Sequence, residues 1–197
     1  MLKQIRPLFI FLCINVCCCT IAMAQSLAVD VTYTTNIPDE EKKFIFYKPG
    51  QLLCISDFMA SPIAGNDAVA ITSSGFAFKA GYKSEAGKST LMIAVYCSFD
   101  KQQSWMKAAG KNPYILSHEQ SHFDISYIAA MAFVSQLKAA GFTQQNYKSL
   151  IQSIYAASTD NLEKMQHQYD GETDNGQLKN IQAAWNSKVA TLIKNSL

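Results

Sequence analysis

The residues best placed to do chemistry are His118-Glu119-Gln120-Ser121-His122. Histidines four apart on a helix project from one face one turn apart, so both imidazoles can reach a single metal ion. A glutamate next to the first can then take a proton from a water held at that ion. The pattern therefore points to a zinc site with Glu119 as general base and His118 and His122 as ligands. Glu119 is also in helical register with Phe123, Ser126, Ala130, Phe133 and Leu137, an inward-facing stripe. A carboxylate buried there costs several kcal/mol unless a cation balances it.

A zinc ion that activates water needs a third protein ligand and one open position. A metzincin would place Gly and His where this chain has Ile125 and Ile128, so that class does not fit. Asp124 projects about 200° away from His122 around the helix and cannot join the same ion. The remaining candidates lie downstream: His167, Asp170, Glu172 and Asp174. Asp174 also fits an N-cap for the helix that follows it.

The elements that must position these residues follow from the patterning. Asn112-Pro113 marks a helix start and Gly141 a stop, giving a helix over residues 113–140. A second helix is expected over 144–170 with Gly171 as terminator, and a third over 177–194 with Ile181, Trp185, Val189 and Leu192 on one stripe. The first connection is short, so the first two helices should pack antiparallel. Reflection across a connection near 143–144 brings 118–122 against about 165–169, which favours Asp170 as third ligand. Before residue 100 the chain alternates as strands do, in Val29 to Thr34, Phe44 to Tyr47, Leu52 to Ile55, Ala68 to Phe78 and Thr90 to Phe99. Pro49-Gly50, Gly65-Asn66 and Gly87 punctuate it. The fold class is α+β: an N-terminal sheet half over 25–100, then long antiparallel helices over 101–197.

Met1 to Arg6 carries two cations, Leu8 to Ile21 is apolar, and Ala22-Met23-Ala24 ends in small residues. Residues 1–24 read as a Sec signal peptide, and 25–197 as a single exported domain, secreted or periplasmic, with no stable membrane span after cleavage. Cleavage removes Lys3 and Arg6, leaving 15 cations against 15 acids. Without a basic excess or basic runs, nucleic acid is not an expected partner. Of the six cysteines only Cys54 and Cys97 stay with the domain, and in an oxidising compartment they are expected to form a disulfide.

Several stretches together resemble the DUF922 family. They are Ile55 to Phe58, Ala70 to Gly75, Phe99-Asp100 with Ser104-Trp105, His118 to Ile125, and Tyr169 to Thr173 with Gln182 and Trp185. The resemblance spans roughly residues 50 to 186. It implies a secreted zinc-dependent protease of the zincin type acting on peptide or protein substrates, and it draws attention to Asp170, Glu172 and Thr173. The family pattern has His two residues after that threonine, where this chain has Asn175. The expected assignment is Zn²⁺ on His118, His122 and Asp170, with Glu119 as base and Tyr169 or another hydroxyl facing the oxyanion. The alternative is a non-catalytic exported envelope or binding protein whose metal site is structural or vestigial.

Overall fold

The computed structural model describes residues 27–38, 40, 42–85 and 88–196. Residues 1–24, expected as a signal peptide, and the turn expected at Gly87 lie outside them. The architecture is α+β, strands first and three helices after.

The sheet is organised by β5 (Lys88–Asp100), against whose residues Lys88 to Phe99 β4 (Ser74–Glu85) pairs antiparallel. The opposite edge of β5 takes two short strands in succession. β1 (Val29–Tyr33) runs parallel against Leu91 to Val95, and β2 (Phe44–Phe46) runs antiparallel against Ser98 to Asp100. Along β5 the alternate residues Leu91, Ile93, Val95, Cys97 and Phe99 are each at most 2% exposed, so one face of the strand is core. A separate two-stranded ribbon joins β3 (Ala70–Ile71) to β6 (Trp105–Met106).

The first helix, α1 (Pro113–Ala139), begins as expected: the Asn112 side chain accepts the Tyr114 and Ile115 amides at 3.1 and 3.0 Å, and Pro113 needs no partner. Phe123, Tyr127, Ala130, Phe133 and Leu137 pack onto the sheet. Ile125 points elsewhere, into a second cluster with Tyr169, Trp185 and Val189. The helix is thus covered on two sides, by the sheet and by α2 (Tyr147–Thr173) and α3 (Lys179–Asn195).

The differences from expectation have local causes. Leu52 to Ile55 is not a strand, because the Asp57 carboxylate accepts the Cys54 amide at 2.7 Å and winds Ile55–Asp57 into a 3-10 turn. The stretch Ala68 to Phe78 breaks at Thr72-Ser73, where the Ser104 hydroxyl takes the Ser73 amide at 2.9 Å. The second helix starts at Tyr147 because Thr143 and Asn146 bond each other's backbone amides, at 2.7 and 3.2 Å. It runs through Gly171 and stops only where Asp174, Asn175 and Gly176 take positive φ of 50°, 52° and 81°. Asp174 therefore closes α2 and does not cap α3, whose N-cap is Leu178.

The expected disulfide is absent: Cys54 and Cys97 are both free. Cys97 belongs to the buried face of β5, whereas Cys54 is exposed beside the 3-10 turn. Burial pushes the Cys97 thiol well above its ordinary pKa, with the Asp124 charge adding to the effect, so it is unreactive in the fold. In native protein spanning residues 25–197 we expect alkylation at Cys54 alone, and at Cys97 only after unfolding. A non-reduced mass showing a closed bridge would contradict this.

Candidate metal centre

On α1, residues 118, 119 and 122 share the turn that faces both β3 and α2. His118 and Glu119 are 5% and 4% exposed. The second helix returns along α1 so that Asp170 meets the histidines: its Oδ1 is 3.2 Å from His118 Nε2 and 3.0 Å from His122 Nε2. The two Nε2 atoms are 3.2 Å apart. Four-coordinate zinc with ligands about 2.0–2.1 Å away has ligand–ligand edges of about 3.3 Å, so this triangle fits a metal held from one side. The three residues are a cluster able to hold an ion.

Two further observations support that fit. Asp170 Oδ1 is buried without a hydrogen-bond donor. Both imidazoles lie within ion-pair distance of it, but neither is aligned to donate, and an orphaned anionic oxygen at a nitrogen pair is what a cation would satisfy. Glu119 likewise forms no ion pair among the described residues. Its Oε2 accepts the Thr72 hydroxyl at 2.7 Å, while Oε1 has no partner among the described residues.

The electrostatics are those of an acid paired with two imidazoles. Burial alone would raise the Asp170 pKa, but when the rings carry a proton the close contacts and positive charges of His118 and His122 outweigh it and hold the carboxyl well below its usual range. Burial would lower the His122 pKa, yet Asp170, then Glu119 and Gln166, raise it above the ordinary imidazole value.

The rings are clamped by their surroundings. Tyr169 stacks on His118 with centroids 4.7 Å apart and meets His122 edge-on at 4.9 Å. Gln182 Oε1 is 2.8 Å from His118 Nδ1, and Gln166 Oε1 contacts His122 Nδ1. The turn after α2 presses its backbone onto His118: a Cβ built on Gly176 would stand 3.0 Å from Nδ1. Gly176→Ala must bear that contact and a left-handed φ of 81°, the latter costing about 1–2 kcal/mol. We expect a lower Tm together with weaker metal binding. Unchanged melting and metal titration would contradict the clamp.

The other candidates do not converge here. His167 is exposed and 3.5 Å from Glu163. Glu172 accepts the Trp185 indole N–H at 2.8 Å and the Gln168 amide at 2.7 Å, and Asp174 closes α2. Asp124 turns away to Tyr47 and Gln120, at 3.0 and 2.8 Å. Asn175 lines the cleft. Tyr169 does not face an oxyanion position, because its buried hydroxyl donates to the His118 carbonyl at 3.2 Å and accepts from Gln182. Thr72, Gln166 and Gln182 were not assigned from sequence. Gln166 sits one turn before Asp170 on the same face, a spacing that could have revealed it.

Above the triangle opens a cleft of about 1050 Å³, walled by β3, the start of α1, and the turn between α2 and α3. An α+β fold with a His/His/Asp cluster and a buried glutamate at the floor of a cleft defines a candidate metalloprotein. The family described as Bacterial protein of unknown function (DUF922) matches residues 97–177, which include all four of these side chains and Asn175. The match supports the family, and its description assigns no activity. No curated protein and no solved structure matches the chain. Among the described residues no helix is long and apolar enough to cross a membrane.

Proposed function

We propose that the chain is an exported zinc-dependent metallopeptidase of the zincin type, hydrolysing peptide bonds at the floor of the cleft. The observation that carries this reading is the convergence of His118 Nε2, His122 Nε2 and Asp170 Oδ1 within 3.2 Å of one another, beside an unpaired buried glutamate. These residues would hold Zn²⁺, which when bound lowers the pKa of a water and polarises a carbonyl. Glu119 would do the proton work. Thr72 secures Oε2, leaving Oε1 to take a proton from the attacking water and deliver it to the leaving amine.

The cleft wall suits an extended peptide. The Val69 carbonyl accepts the Lys107 amide at 2.8 Å, so residues 69 and 71 turn their backbone groups toward β6. By strand alternation the amide and carbonyl of Ala70 face the other way, along the edge of β3 that no strand among the described residues pairs, where Ala70 lines the cleft. A substrate strand can pair there, with Val69 and Ile71, 38% and 40% exposed, offering apolar contacts.

Residues 25–197, loaded with zinc, are expected to cleave casein or a peptide library, to lose that activity to a chelator and to regain it with added zinc. Zinc binding without cleavage would instead favour the non-catalytic reading, for which Asn175 in place of the family's histidine is the specific observation.

A further inference from the structure

We propose that Gln166 and Gln182 are positioning residues that hold His122 and His118 in the Nδ1–H tautomer, so that both Nε2 lone pairs face Asp170 before any metal arrives. The proposal rests on reading these three residues as metal ligands. It follows from which atoms can donate.

A backbone carbonyl only accepts. Gln166 reaches the His122 carbonyl at 2.9 Å through Nε2, which fixes the orientation of its amide. Its second Nε2 contact, to the Ser126 hydroxyl at 3.3 Å, is compatible. The atom left to meet His122 Nδ1 is Oε1, which cannot donate, so Nδ1 carries the hydrogen. His118 is fixed through a longer relay. The Tyr169 hydroxyl must donate to the His118 carbonyl, so its oxygen accepts from Gln182 Nε2. The same amide nitrogen donates to the Asn186 side-chain Oδ1 at 2.7 Å. Gln182 Oε1 therefore faces His118 Nδ1 at 2.8 Å, and that nitrogen also carries its hydrogen.

In a neutral ring a hydrogen on Nδ1 leaves Nε2 bare. Three lone-pair atoms, two nitrogens and Asp170 Oδ1, then point at one another across 3.0 to 3.2 Å. That accounts for the orphaned Oδ1. The opposite tautomer would set bare Nδ1 atoms against amide oxygens, at a buried contact for His118 and a part-buried one for His122. The glutamines come from different helices, Gln166 from α2 and Gln182 from α3, so docking of both helices onto α1 sets the ligands.

The direct test uses the metal-stripped chain over residues 25–197 and ¹⁵N spectroscopy of its histidine rings, at a pH where both are neutral. The expected spectrum shows unprotonated Nε2 and protonated Nδ1 for both His118 and His122. Protonated Nε2 on either ring overturns the proposal whatever the activity. Gln166→Leu and Gln182→Leu should each weaken zinc binding about 10–100-fold in chelator competition, and the Glu variants, which restore an acceptor, should recover most of it. Unchanged affinity in folded Leu variants overturns it too. Should Gln182→Leu not fold, Gln166→Leu and the parent spectrum still decide. Both rings in the expected tautomer, with zinc bound but no cleavage, sinks the peptidase reading and supports the lock.

Discussion

Glu119→Gln is expected to lower peptide hydrolysis by about 10²–10⁴-fold while leaving bound zinc unchanged. The substitution keeps the shape of the side chain and an oxygen that can still accept the Thr72 hydroxyl, now 2.7 Å from Oε2. What it removes is the basic oxygen, and Glu119 is no closer to being a ligand than its absence from the His118, His122 and Asp170 triangle allows. Rate measurements alongside metal analysis therefore separate general-base loss from metal loss. Equal activity in parent and variant would show that Glu119 takes no part in the proton transfers.

Removing a ligand should act in the opposite way. His122→Ala and Asp170→Ala are each expected to weaken zinc binding by about 4 kcal/mol, about 10³-fold, measured by chelator competition. The pH dependence of metal-free and zinc-loaded protein should also diverge. In the metal-free chain the His122 pKa is raised, so its contribution to stability is complete below the ordinary imidazole pKa and is lost as pH rises through the raised value. The Asp170 pKa is lowered, so its contribution is present above the ordinary carboxylate pKa and is lost as pH falls through the lowered value. The pair therefore helps most between those two ordinary ranges. Zinc requires an unprotonated His122, so the stabilisation it adds grows as pH rises through that same raised pKa. Melting curves should show a gap between loaded and stripped protein that widens above the ordinary imidazole range. Parallel curves would mean that His122 is not a ligand.

The parts of this site that could be read from sequence are those governed by local period and chain reversal. Asn112-Pro113 fixed the start of α1, the four-residue spacing paired the histidines, and a short helix connection carried Asp170 back to them. What escaped depended on competition between distant or side-chain partners. Gly171 is a plausible helix stop, but buried Tyr169 and Thr173, with Glu172 on the Trp185 indole, carry α2 past it to a left-handed turn ending in Gly176. Cysteine count alone could not place Cys97 on the core face of β5 and Cys54 on an exposed loop. Thr72 reaches Glu119 only because β3 and β4 are separate strands with a break between them, which one unbroken alternating stretch concealed. Gln182 depends on how α3 docks, and no period within α1 or α2 encodes that.

The central claim is tested most directly by a zinc-soaked crystal of residues 25–197 with anomalous data collected on either side of the zinc edge. One strong peak is expected about 2.0–2.1 Å from both Nε2 atoms and a similar distance from an Asp170 oxygen, with Glu119 outside the coordination sphere. Zinc bound only elsewhere, or imidazoles of His118 and His122 without density between them at saturating zinc, would contradict it.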